Sequence, residues 1–154
     1  MKKLLFIIFL SMIGSKGFSQ VLIENDLSVP ISVCFGWEQQ KGDWKGMRTY
    51  GWFSIDPGQT INPGLPLLPM GNNGHFFYYA KTTSGPFREV TTGNANMLVD
   101  PINAFDIKNA DLSYTKDQHP DYDWRPFIRK EVHLKALQTV YTWKMTILDI
   151  SNGY

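Results

Sequence analysis

The sequence has little cysteine: one residue, Cys34, in 154. That excludes an internal disulfide framework and every zinc or iron–sulfur site built from several cysteines. Charge is also scarce, with charged residues at 19% and 15 Lys plus Arg against 14 Asp plus Glu, a formal +1. A nucleic-acid coat or a polybasic membrane binder needs a far larger basic surplus, so nucleic acid is not an expected partner. No apolar run approaches the roughly 20 residues that span a bilayer as a helix. No repeat or low-complexity stretch occurs. Gly-x-Ser-x-Gly, His-Glu-x-x-His and Ser-x-x-Lys are missing, and nothing implies a cofactor.

What is present begins with an address. Lys2 and Lys3 precede an apolar run from Leu4 to Leu10, resumed at Met12 and Ile13, then small and polar residues from Gly14 to Ser19. Basic start, short apolar centre and small-residue end predict a signal peptide over residues 1–19. Gly17 and Ser19 sit three and one residues before the expected cut, which leaves Gln20 first; a cut after Gln20 is the next choice. No cysteine follows where a lipid anchor would attach. Removing 19 residues takes three Lys and no acid, leaving 135 residues with 12 basic against 14 acidic side chains. The expectation is a single periplasmic or extracellular domain, 20–154, with no stable membrane span and a net charge of −2.

Within that domain, Val21 to Glu24 reads as a short strand ended by Asn25-Asp26 turn chemistry. Ser28 to Trp37 alternates, with Val29, Ile31, Val33, Phe35 and Trp37 on one parity, which predicts a strand with one buried face. Pro30 places that end on a sheet edge or at a bulge. Glu38 to Gly46 reads as a loop around Trp44, Tyr50 to Ile55 as a strand, and Asp56-Pro57-Gly58 as a turn. Asn62 to Met70 has too much proline for regular structure, and Gly71 to Gly74 is a turn. His75 to Lys81, with four consecutive aromatics, is the most β-prone segment, and Phe87 to Thr91 is expected to pair back on it. Met97-Leu98-Val99 and Ala104 to Ile107 are short apolar runs separated by Asp100-Pro101. Ala110 to Pro126 reads as a long loop or mobile insertion. Phe127 to Leu134 and Thr139 to Ile150 read as strands, although Lys130 to Leu137 also fits two helical turns. The fold class that follows is all-β, an antiparallel β-sandwich or open barrel.

Glu24-Asn25, Gly36-Trp37, Asp43-Trp44, Gly51-Trp52-Phe53, Asp56-Pro57-Gly58 and Phe77-Tyr78-Tyr79-Ala80 form an ordered series. It resembles the bacterial exported domain of unknown function 1036 family, whose pattern runs roughly Cys-Asn, Gly-Tyr, a Trp loop, Gly-Trp-Trp, Pro-Gly-x-Cys and Tyr-Tyr-Ala. The resemblance covers about residues 21–81. Glu24 stands where the family's first cysteine would fall, and Thr60 where the second would. Their joint absence fits a disulfide pair that this chain lacks, its contribution of about 2–4 kcal/mol taken over by aromatic packing. The resemblance implies export and a small β domain. It carries no catalytic residue.

Chemistry-bearing side chains are few. His75, His119 and His133 share no spacing that sets two of them on one face of an element, and read as unrelated. Cys34 falls mid-strand, outside any glycine-flanked nucleophile loop, and reads as a buried or semi-buried free cysteine. Asp111, Asp117, Asp121 and Asp123 are close together. Calcium takes oxygens from such loops, so Asp117, Asp121 and Asp123 are weak metal candidates, but the spacing matches no calcium loop and glycine is missing. Among loop aromatics, Trp44, Tyr122 and Trp124 are the candidate ligand contacts, since sugars and protein partners dock on such rings. The leading expectation is a non-enzymatic exported domain that binds a protein or glycan at the cell envelope. The alternatives are a small secreted hydrolase using His119 or His133 with the nearby aspartates, and a periplasmic immunity-type protein that neutralises a toxin.

Overall fold

The computed structural model describes residues 20–39, 46–65, 73–133 and 140–151. The expected leader, the Trp44 loop and the Gly71-Asn72 half of the expected turn lie outside the described residues. In chain order the strands are β1 (Gln20–Asn25), β2 (Ile31–Gln39), β3 (Gly46–Ile55), β4 (Thr60–Ile61), β5 (Asn73–Thr82), β6 (Ala95–Val99), β7 (Phe105–Lys108), β8 (Asp123–His133) and β9 (Val140–Met145). Two short helices, α1 (Ser113–Gln118) and α2 (Ile147–Ser151), complete the described elements. The fold is all-β. No described helix is long and apolar enough to cross a membrane.

A large antiparallel sheet runs β6-β8-β5-β2-β3-β7, and a small sheet runs β4-β1-β9. In the small sheet β1 pairs antiparallel with β4 and parallel with β9, from Gln20 opposite Val140 to Asn25 opposite Met145. β8 turns a corner: Asp123 to Phe127 pair with β6, whereas Ile128 to His133 pair with β5. This curls the large sheet until its ends nearly meet. Across the seam, Leu98 N donates to Ala110 O at 2.7 Å and Thr49 Oγ1 donates to Leu98 O at 2.7 Å.

Curling explains why β2 departs from the expected single buried face. Ser32, Cys34 and Gly36, on the parity opposite the expected buried face, are buried, as are Ile31, Val33 and Phe35. The two parities serve two cores. Phe35 meets Phe76 and Phe53 on the side covered by the small sheet, where Trp143 stands 4.6 Å from Tyr78 and 5.7 Å from Phe76. Cys34 points into the barrel, where a Cβ on Gly51 would lie 2.5 Å from the Cys34 Cβ. The adjacent Tyr78 and Tyr79 split the same way, since Tyr79 meets Trp52 at 5.7 Å and Phe127 at 6.2 Å. Period two sends successive side chains to opposite faces, and here both faces are dry. Each large ring so buried contributes roughly 1.5–3 kcal/mol, against roughly 0–1 for an exposed ion pair such as Lys144–Glu24.

Other expectations are corrected. Pro30 is at neither an edge nor a bulge: β2 is central, begins at Ile31, and bulges between Val33 and Phe35. Lacking an N–H, Pro30 stays just outside the ladder, and its carbonyl accepts from Thr83 N at 3.0 Å. Asn73 and Gly74, expected in a turn, are the first residues of β5. Phe87 to Thr91 forms no strand, only a bridge of Glu89 to Lys81 flanked by Thr82 N to Arg88 O and Val90 N to Ala80 O. That return fills the edge of β5 beyond Tyr78, where β8 has left. Ala110 to Pro126 is no long loop. Asn109, at φ 53°, turns the chain into α1, whose Thr115 hydroxyl donates to Asn109 O at 3.0 Å, and β8 starts at Asp123. Finally, β9 stops at Met145 and residues 147–151 are helical. Thr146 N and Oγ1 both donate to Asp149 Oδ2 at 2.8 Å, so the acid three residues on reaches back to cap the helix start just after the strand's last residue.

Candidate functional site

Two connections meet at the seam of the barrel and enclose a cleft of about 480 Å³, lined by Asp100, Pro101, Ile102 and Asn103 on one side and by residues 118–122 on the other. The first wall is an aspartate turn. Asp100 Oδ1 accepts from Ile102 N at 2.9 Å and Asn103 N at 2.8 Å, and the Asn103 amide reaches Oδ2 at 3.2 Å. The Asn103 and Ile102 backbone donors hold the Asp100 carboxyl below the usual carboxylate range. Trp52 Nε1 donates to Asp100 O at 2.8 Å and ties the turn to the barrel core.

The second wall follows α1. Lys116 Nζ donates to the carbonyls of Pro120 and Tyr122, and Tyr122 N donates to His119 O at 3.0 Å, which folds residues 116–122 into a tight return. His119 and Tyr122 are thereby stacked, 4.7 Å apart and 18° from parallel. Tyr122 is half-buried against the core. Among the described residues, no hydrogen bond or ion pair engages the side chains of Gln118, His119 or Asp121. These are uncommitted donors and acceptors beside an aromatic platform.

The cleft gathers Tyr122, Asp121 and His119 of the residues singled out from the sequence. Trp124 is 38% exposed on β8 opposite Leu98 and is not in the cleft wall. Trp44 lies outside the described residues. Asp117 is on α1, and Asp123 pairs with Arg125 at 3.1 Å; no three His, Cys, Asp or Glu side chains among the described residues converge to hold a metal ion. His75 meets Phe77, and His133 stands 3.7 Å from Glu131 at the far end of β8. Cys34 is fully buried, burial pushes its thiol well above the ordinary range, and its Sγ lies 3.7 Å from Tyr79 O.

No family model, curated protein or solved structure matches the chain. The cleft's chemistry therefore rests on its own residues. Asp100, Asn103 and Gln118 were not singled out from the sequence, although Asp100-Pro101-Ile102-Asn103 carries the composition of an aspartate turn. Carboxylate, amide and imidazole groups around a stacked ring suit a ligand dense in hydroxyls with one apolar face.

Proposed function

We propose that the chain is an exported, non-enzymatic β domain that binds a glycan at the cell envelope through the cleft between Asp100–Asn103 and Gln118–Tyr122. The observation that carries this reading is the pairing of the His119–Tyr122 stack with uncommitted polar side chains in one preformed cleft. A pyranose offers hydroxyls to such groups and a C–H face to the ring. Export rests on the basic and apolar start of the sequence. Membership of the exported domain of unknown function 1036 family is part of the same proposal, supported by Glu24 and Thr60 being direct partners across β1 and β4.

The test is a glycan array and envelope-extract binding with the purified protein and its Tyr122→Ala and Asp121→Asn variants. Retained glycans that both variants lose support the reading. Binding indifferent to both variants removes the cleft from it, a captured protein with no glycan points to a protein partner, and turnover of an offered glycan favours the hydrolase.

A further inference from the structure

The cleft at the barrel seam carries a carboxylate on each wall, Asp100 on the aspartate turn and Asp121 on the return after α1, and its lining contains neither Lys nor Arg. No ion pair among the described residues engages either carboxylate. The cations nearest in sequence are spent elsewhere. Lys116 donates to the carbonyls of Pro120 and Tyr122 and is not part of the lining, and Arg125 pairs with Asp123.

Both carboxylates keep acceptor capacity. Asp100 Oδ1 takes Ile102 N and Asn103 N, but Oδ2 takes only the Asn103 amide at 3.2 Å. An ionised carboxylate offers roughly four lone-pair sites, and the Asp121 side chain has none of its own engaged. Two carboxylates without a counter-ion disfavour an anionic ligand and favour a cationic one, each contact at about 4 Å gaining about 1 kcal/mol in a watery site. Asp100, His119 and Asp121 do not converge to hold a metal ion. The cation that fits therefore carries its charge on a larger body with several donors, as an ammonium does with three. The His119–Tyr122 stack gives that body a surface, since an aromatic ring accepts both a C–H face and a cation.

We propose, resting on the glycan reading above, that the ligand is a sugar with a free amino group, its ring on the His119–Tyr122 stack and its ammonium on Asp121 in the field of Asp100. NMR titration of the isotope-labelled protein tests it with the methyl glycosides of glucosamine, N-acetylglucosamine and glucose, and with ethanolammonium chloride. A pH of about 7 keeps an ordinary amine mostly protonated and an ordinary imidazole mostly neutral. The glucosamine glycoside should shift the amides of residues 100–103 and 118–122 and bind about fivefold or more tightly than the other three probes. Asp121→Asn, an isosteric change at an exposed residue, should abolish most of that preference, as should added salt. Equal binding of all three glycosides overturns the amine and leaves the glycan reading standing. Equal binding of ethanolammonium, or a preference unchanged in Asp121→Asn with the spectrum otherwise native, also overturns the proposal. If none of the glycosides shifts the cleft amides, the proposal falls, and the glycan array judges the wider reading separately.

Discussion

Glu24 and Thr60 are directly opposed across the antiparallel pair of β1 and β4. Opposed residues in such a pair have Cα atoms about 4.5–5.5 Å apart, inside the range of about 4.4–6.8 Å that a disulfide spans. Cysteines at these two positions would therefore be spaced for a covalent bond. In this chain the site carries instead an exposed ion pair, Glu24 with Lys144 at 2.9 Å.

The double variant Glu24→Cys, Thr60→Cys is expected to form an intramolecular disulfide on air oxidation and to gain about 2–4 kcal/mol, less the roughly 0–1 kcal/mol of the lost ion pair. Free-thiol titration and denaturant midpoints with and without reductant measure both. Two persistently free thiols at these positions would contradict the register.

Gly51→Ala is expected to cost about 1–3 kcal/mol or more, because the added Cβ would lie 2.5 Å from the Cys34 Cβ and 2.9 Å from its Cα, with the β2 backbone unable to retreat. Gly58→Ala, where nothing lies within 4 Å but φ is +73°, should cost only about 1 kcal/mol, for the left-handed backbone. Chemical denaturation of the two variants gives the ranking.

Cys34 is expected to resist a thiol reagent in the native protein and to react at the rate of a free thiol after denaturation. It has no exposed surface, and burial keeps it in the unreactive protonated form. Equal rates in the two states would place the thiol outside the barrel.

Acid should destabilise the fold partly through Asp106. The Arg48 guanidinium, which donates Nε to Asp106 Oδ1 at 2.6 Å, holds that carboxyl below the ordinary range. A folded pKa depressed below the unfolded one contributes stability that is whole above the unfolded value, about 3.9 for Asp, and is lost as pH falls through the depressed value. Melting temperatures from about pH 6 to about pH 2 should show a shallower acid loss for Asp106→Asn than for the parent. Identical slopes would remove Asp106 from the acid transition.

Much of the strand content was legible because alternation and turn chemistry are local. Val21 to Glu24, Tyr50 to Ile55, His75 to Lys81 and the Asp56-Pro57-Gly58 turn were visible as such, and the structure extends them by a few residues. The end of β9 was also written locally, in Thr146-x-x-Asp149, but the alternation of Tyr141, Trp143, Met145 and Ile147 running past it masked it. The cleft was half legible: Asp121, Tyr122 and His119 stood out as chemistry in a polar stretch, whereas Asp100 and Asn103 meet them only because the barrel seam brings residues 100–103 beside 118–122.

By itself the sequence determined that this chain is a β protein dominated by aromatic packing, since period two, β-branched and aromatic runs, and Gly and Pro turns act over a few residues. Only the tertiary structure decided that both faces of β2 are covered, with Ser32 and Gly36 buried as well as Val33 and Phe35, and that β1 lies parallel to β9. Alternation specifies which side chains share a face. What covers each face depends on the curl of the sheet and on partners as distant in sequence as Gln20 and Val140, which no local pattern records.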